Sequence, residues 1–238
     1  MKSEKAFWHM SNLNSSIYVD QEQSQGIWLD KEKIEEQTGY ELVKRILDLF
    51  LACSGLILIS PIMLWIAYKI YKDEPACSVI FAQQRVGRNG KLFTMYKFRS
   101  MCVDAEEQLA GLLNKNELKG AMFKIKEDPR ITEFGKFIRR TSLDELPQLI
   151  NVIKGDMSLI GPRPPLQREV AEYTQVDLQR LLVKPGCSGL WQVSGRNEVD
   201  FDEMVEFDLA YIQTRSIRQD LSLILKTIKV MLKSDGAY

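Results

Sequence analysis

The stretch RRTSLDELPQL places two adjacent carboxylates, Asp144 and Glu145, directly after Arg139 and Arg140 and just before Pro147. One reading is local. Ser142 and Glu145 fit the S-x-x-E capping box, acidic residues suit the positive end of a helix dipole, and Pro147 is tolerated only in a first turn. The other reading is chemical: a carboxylate beside arginines can attack an electrophilic centre or hold a hard metal ion. Further candidates are spread along the chain. Lys97 and Arg99 in KFRSM are either functional or simply the exposed alternate positions of a strand. The loop Pro162-Arg163-Pro164 is a rigid connector or a site, Asp156 is a turn residue or a further metal ligand, and Arg196 ends a glycine-punctuated loop.

Elimination narrows the chemistry. The single histidine, His9, lies in the polar N-terminal stretch, which excludes Ser-His-Asp and Cys-His mechanisms from the folded part. Cys53, Cys77, Cys102 and Cys187 form no C-x-x-C and read as reduced thiols in a cytoplasmic setting. Neither a G-x-x-x-x-G-K-[ST] nor a G-x-G-x-x-G motif occurs. An enzyme built from this inventory works with carboxylates, arginines, lysines and a hard metal ion. The net charge is zero, but residues 84–140 carry thirteen Lys/Arg against seven Asp/Glu. That basic stretch runs into the carboxylate pair and suits an anionic partner or a solvated face.

The elements that must position these residues are legible in outline. Residues 1–40 hold four Lys/Arg against seven Asp/Glu and lack a hydrophobic h-region, so they read as a loosely ordered extension with a short helix near Lys31–Gln37. From Leu49 to Tyr68, LFLACSGLILISPIMLWIAY runs twenty residues without a charge, the length of a membrane-spanning helix. Ser60-Pro61 interrupts it, because proline removes a backbone donor and collides with the carbonyl of Ile57. Its flanks are equally basic, with Lys44 and Arg45 before and Lys69 and Lys72 after, and the positive-inside preference puts both ends on the cytoplasmic side. A helix–break–helix that dips into one leaflet and returns satisfies both facts; a kinked span is the competitor. Asn89-Gly90 between runs rich in Val, Phe and Tyr predicts a β-hairpin. Residues 104–118 and Phe134, Phe137 and Ile138 have helical spacing. The final helix sets Leu221, Leu225 and Ile228 against Lys226, Lys229 and Lys233, which suits either a membrane surface or the core.

Taken in order, the KR before the Ser-Pro-interrupted segment, KFRSM, RRTSLDELPQ, GDMSLIGPRP and GLWQVSGRN resemble the bacterial sugar transferase family, the monotopic phosphoglycosyl transferases. The likeness covers residues 42–238. It implies transfer of hexose-1-phosphate from a UDP-hexose to polyprenyl (undecaprenyl) phosphate, with release of UMP, at the start of a surface glycan. It further implies a helix-rich α/β protein: a 1–40 extension, a re-entrant membrane hairpin over 41–73, and a small cytoplasmic catalytic domain over 74–238 with amphipathic interfacial helices. By that resemblance Asp144 is the nucleophile forming an aspartyl phospho-sugar, with Glu145 its partner and both near Mg²⁺. Arg139 and Pro162-Arg163-Pro164 lie near the nucleotide sugar, and Arg196 contacts phosphate. Ser60 and Pro61 make the hairpin, placing the protein in the bacterial inner membrane with its site on the cytoplasmic face. The partners expected are the two substrates, the bilayer, and a second copy or other glycan-assembly proteins, with no nucleic acid. Two alternatives stand beside this: a non-catalytic membrane scaffold, and the same transfer through a ternary complex.

Overall fold

A computed structural model of the chain describes residues 27–75, 77–112, 125, 127–194 and 199–233. Over these residues it is a helix-rich α/β protein with two small two-stranded sheets and one long apolar helix. A short helix α1 (Lys31–Glu35) forms where the sequence predicts one, capped by Asp30, whose carboxylate accepts from Lys33 N–H. The adjoining segment is packed rather than loose. Ile34 is buried in the main core beside Ile160, Val205 and Leu209, and Ile27 and Leu29 pack against that core.

The apolar run lies within α2 (Thr38–Asp73), 36 residues with Pro61 inside. The predicted break into two helices does not occur. Ser60 Oγ donates to the carbonyl of Ile57 at 2.8 Å, which is the acceptor that the missing N–H of Pro61 leaves without its helical partner. At 1.5 Å per residue such a helix contains about 54 Å of chain. One stripe of it, Lys44, Asp48, Ala52, Ile59, Ile66 and Ile70, faces the body of the protein. The opposite side is apolar and bare: Phe50 is 67%, Ile57 74%, Leu58 77% and Leu64 71% exposed. Only 11% of its most apolar window is buried, whereas a core helix of a water-soluble protein is mostly buried.

Lys44 and Arg45 do more than flank the apolar segment. Lys44 pairs with Asp220 at 2.9 Å, and Arg45 donates to the carbonyls of Val152 and Ile153. These contacts tie the N-terminal end of α2 to the body, while Ile66 and Ile70 tie its far end to Phe98 and Ile138.

The predicted hairpin is present: β1 (Ile80–Val86) pairs antiparallel with β2 (Leu92–Phe98), from Ile80↔Phe98 to Val86↔Leu92. Asn89 and Gly90 both have positive φ, 54° and 75°, the conformation such a tight connection requires. Helix α3 (Ala105–Leu112) follows; Leu113 and the rest of the predicted 104–118 segment lie outside the described residues. Helix α4 (Glu133–Arg140) is capped by Thr132, whose hydroxyl accepts from Gly135 N–H. The helix lies so close to the end of β2 that a Cβ on Gly135 would sit 2.0 Å from the Ser100 carbonyl oxygen.

After a 3-10 turn over Leu143–Glu145 comes α5 (Gln148–Lys154). Its Asn151 side chain accepts from Tyr96 N–H and donates to the Thr94 carbonyl, completing the outer edge of β2 with an amide in place of a strand. Strand β3 (Ser158–Ile160) pairs in parallel with β4 (Gly186–Ser188). Between them lie α6 (Gln167–Val170) and α7 (Gln175–Leu178). The segment KPGCSGLWQVSG, expected as a loop, instead supplies β4 and α8 (Leu190–Ser194). Helix α9 (Phe201–Thr214) buries Phe201, Met204, Val205, Leu209 and Ile212 at the i, i+3, i+4 spacing of an amphipathic helix. Helix α10 (Ile217–Lys233) divides its apolar residues: Leu223 is buried, Met231 packs with the α2 cluster, and Leu221, Leu225 and Ile228 are exposed.

Candidate active site

The carboxylate pair occupies the 3-10 turn that links α4 to α5. The predicted capping box is not formed: Ser142 has φ 56° and makes no side-chain cap, and Glu145 points elsewhere. Its carboxylate meets the Lys97 ammonium at 2.6 Å, a charge-assisted contact stronger than a neutral backbone cap. A non-glycine residue at positive φ costs roughly 1–2 kcal/mol, so the turn is held by its surroundings. Those surroundings are leucines. Leu143 and Leu146 bracket the pair and pack with Ile66, Ile138 and Phe98, which fastens the carboxylates directly onto the C-terminal half of α2. Two of the first N–H groups of α5 are already used, because Leu149 and Ile150 N–H bond back to the carbonyls of Leu146 and Pro147.

Asp144 and Glu145 differ sharply in environment. Asp144 is buried, and its carboxyl is raised to about 6, chiefly by burial; Lys97 and Arg139 oppose the shift and Glu145 adds to it. Glu145 is held below the usual range: burial alone would raise it, but the Lys97 charge and hydrogen bond, then Arg163 and Arg85, outweigh that. Two neighbouring acids are thereby pushed apart in character. Asp144 is an ionisable carboxylate, poorly solvated and without a directly bonded cation among the described residues; Glu145 is a fixed anion.

The hairpin supplies part of the cationic frame. Lys97 pairs with Phe81 and Arg85 with Phe93 in the register, so Lys97 and Arg85 share one face of the sheet. Arg85 was not singled out from sequence. It is buried, donates to the Pro164 carbonyl at 2.9 Å and to Gln83, and its Nε has no partner among the described residues. Burial, with Arg163 nearby, pulls its guanidinium down to about 9. The only signal in the sequence was its odd-numbered place on the strand, two and four residues after Gln83 and Phe81. Arg85 also carries the proline loop to the pair, and Val86 N–H donates to the Pro165 carbonyl.

The other predicted residues are placed as follows. Arg163 contacts Glu169 at 3.4 Å and its charge reaches Glu145. Pro162 accepts from Gly186 N–H, joining the loop to β4. Arg139, in the last turn of α4, acts electrostatically on Asp144. Arg99 is not brought to the pair: its Nε donates to the Ser78 carbonyl and its guanidinium lies over the Phe81 ring. Asp156 lies just beyond the turn that ends α5, where its N–H donates to the Asn151 carbonyl. Arg196 lies outside the described residues. Cys187 stands behind the site. Burial, then the charge of Glu145, pushes its thiol up, so it stays neutral.

Lys97 is the cation that both carboxylates feel. Replacing it by methionine removes a charge that lowers Asp144 and Glu145 alike. Lys97→Met is expected to move the acid limb of the kcat/KM profile upward from about 6 and to cut activity at pH 7 by about 10²-fold, with Lys97→Arg partly rescuing both. An unchanged acid limb would show that Lys97 does not tune the pair.

The model of the family described as "Bacterial sugar transferase" matches residues 39–234. The chain is 52% identical over 198 residues to galactosyl transferase CpsE of Streptococcus agalactiae, covering 82% of this chain and 43% of that protein. It is 49% identical over 201 residues to the undecaprenyl-phosphate galactose phosphotransferase of Salmonella typhimurium, covering 82% and 42%. The chain thus spans about two-fifths of the length of these two relatives. Exopolysaccharide production protein ExoY of Rhizobium meliloti matches over most of its own length, 39% identical over 214 residues with 86% and 94% covered. The chain belongs to the bacterial sugar transferase family.

Proposed function

We propose that the protein is a phosphoglycosyl transferase that moves hexose-1-phosphate from a UDP-hexose to polyprenyl phosphate at a membrane surface. The observation that carries this reading is the carboxylate pair itself. It is framed by Lys97, Arg85, Arg139 and Arg163, and its turn is seated by Leu143 and Leu146 on the apolar helix. An anionic donor from water and an anionic lipid from the bilayer can both reach such a place.

In the first step an Asp144 carboxylate oxygen attacks the β-phosphorus. The bond from that phosphorus to the oxygen bridging to UMP breaks, giving an acyl phosphate and UMP. In the second step an oxygen of the acceptor phosphate attacks the same phosphorus and the Asp144 carboxylate leaves. No proton transfer is required at the attacking groups, which fits a site with no histidine among the described residues. The arginines and Lys97 stabilise charge in transit, and Glu145 fixes Lys97 in place. Covalent capture lets a soluble donor and a lipid acceptor be bound in turn. Two relatives carry galactose in their names, which supports UDP-galactose as the first donor to test.

Among the described residues no group of three or more His, Cys, Asp or Glu could hold a metal. Two carboxylates, one already paired with lysine, still suit Mg²⁺, which commonly takes one or two carboxylates together with substrate phosphates and water. Asp144 and Glu145 would hold it, and it would neutralise diphosphate charge. UMP release from a panel of UDP-sugars, with polyprenyl phosphate and Mg²⁺, tests the reading. One equivalent of UMP per protein with the donor alone, repeated turnover only with the lipid phosphate, and loss of both in excess chelator are expected. A protein that releases no UMP from any sugar is a scaffold, and full activity in chelator removes the metal.

The protein lies monotopically on the cytoplasmic face of the inner membrane, with the continuous α2 in one leaflet and both of its ends on the cytoplasmic side. Both ends of α2 are tied to one body, and the body follows the helix along its length. A perpendicular span would draw exposed Glu133 and Lys136, beside Phe134 and Phe137, into hydrocarbon. Gly39, where a Cβ meets nothing within 4 Å, and Lys72 suit single-cysteine labelling. Both are expected to react only from the cytoplasmic side; labelling of position 39 from outside would make α2 an ordinary span.

A further inference from the structure

Three aromatic rings meet where α2 crosses α4, outside the carboxylate pair. Trp65 packs edge-on against Phe134 with centroids 5.7 Å apart and against Phe137 at 6.5 Å. Phe134 and Phe137 stack at 5.9 Å. The cluster is only partly covered: Phe134 packs on the core beneath it. Trp65 is 48% and Phe137 37% exposed, on the side of the molecule where Leu58, Ile62 and Tyr68 also stand bare. Lys69 lies over the Phe134 ring, 5.8 Å from its centre.

The position of this cluster gives it a direction. Phe137 and Arg140 are three residues apart on α4, so they lie on one face about one turn from each other. Arg139, in that same last turn, acts on the Asp144 carboxyl. Phe134 belongs to the same apolar cluster as Leu143 and Leu146, which bracket the pair. An apolar surface open to the bilayer is thus continuous with a short basic run that ends at Asp144. Apolar rings followed by cations complement a long unsaturated tail that ends in a phosphate monoester, whose charge of about −1.5 to −2 exceeds that of the phosphodiester in a bulk phospholipid.

We propose that Trp65, Phe134 and Phe137 seat the isoprenoid chain of the acceptor lipid, so that its phosphate is delivered along α4 to Arg139 and Asp144. This rests on the phosphotransfer reading above and adds where the acceptor enters. Trp65 and Phe137 are then binding residues for the acceptor, and they make no contact with the nucleotide sugar.

The test is photolabelling of the full chain in phospholipid nanodiscs with a polyprenyl phosphate that carries a diazirine in its first isoprene units. Adducts are expected on the peptides containing Trp65 and Phe137, displaced by unlabelled polyprenyl phosphate and not by added phosphatidylglycerol. Labelling should fall roughly three- to tenfold in Trp65→Ala and Phe137→Ala, as loss of an aromatic contact predicts. Phe50→Ala, on the bare part of the same helix about four turns before Trp65, should keep it. Trp65→Leu, which retains apolar bulk, should fall between, and a normal melting curve for it shows that the loss is not unfolding. Adducts spread evenly over Ile57, Leu58 and Leu64, or labelling that resists competitor, would overturn the proposal. Displaceable adducts at Trp65 in a parent protein that releases no UMP would sustain the seat and sink the phosphotransfer reading.

Discussion

Asp144→Asn is expected to abolish turnover and at the same time to make the protein more stable. An amide of nearly the same shape is not a nucleophile toward phosphorus, so a loss of at least about 10³-fold is expected, limited by background. The stability gain follows from the direction of the Asp144 shift. Its carboxyl is raised from 3.8 to about 6, mainly by burial, so the folded state prefers the protonated form. As pH rises the unfolded chain releases this proton first, and stability is lost between about 4 and 6. At neutral pH the ionised carboxylate therefore costs on the order of 1–3 kcal/mol, and asparagine removes the charge that causes it. Thermal melts should show a larger gain for the variant at pH 8 than at pH 5. A variant that is both active and less stable would make Asp144 a structural residue.

Gly186→Ala is expected to fail in the opposite way, through the scaffold. A Cβ at Gly186 would lie 2.1 Å from Gly161 N and 2.6 Å from both the Ile160 carbonyl carbon and the Ser188 oxygen. All three are backbone atoms, so no side chain can turn aside. The clash falls between β3 and β4, and on the Gly186 N–H that holds the Pro162 carbonyl at 2.9 Å. A loss above about 4 kcal/mol, or no soluble folded protein, is expected. Gly111→Ala, in helix α3 with nothing within 4 Å of its Cβ, serves as the control and should match the parent or gain up to about 1 kcal/mol from helix propensity. Equal melting of the two variants would mean that the β3–β4 pair is looser than its close approach indicates.

What the sequence revealed and what it hid follow the range of the interactions involved. The hairpin at Asn89-Gly90, the helix near Lys31–Gln37 and the apolar run are set by neighbours within a few residues, and all three are present. The continuity of α2 turned on one hydroxyl, Ser60 bonding the Ile57 carbonyl, and the proline signal alone pointed the other way. The capping box failed because a distant lysine, Lys97, takes the Glu145 carboxylate. Asn151 and Arg85 were invisible for the same reason. Nothing near Asn151 in the chain shows that its amide will complete β2, and Arg85 matters only because the proline loop, some eighty residues on, lies against it. The carboxylate pair was readable because its chemistry is carried by adjacent residues; the frame around it is assembled from residues far apart in the sequence.

The central claim is that Asp144 carries the sugar phosphate. It is tested most directly by mixing the protein with UDP-galactose in Mg²⁺ and no acceptor, quenching, and digesting for mass spectrometry. A UMP burst matching the amount of protein, with a hexose-phosphate mass on the peptide containing Asp144 that disappears when polyprenyl phosphate is added, is the result expected. UMP release that begins only when the acceptor is present, with no adduct at any time, would contradict it and replace covalent capture with a ternary complex.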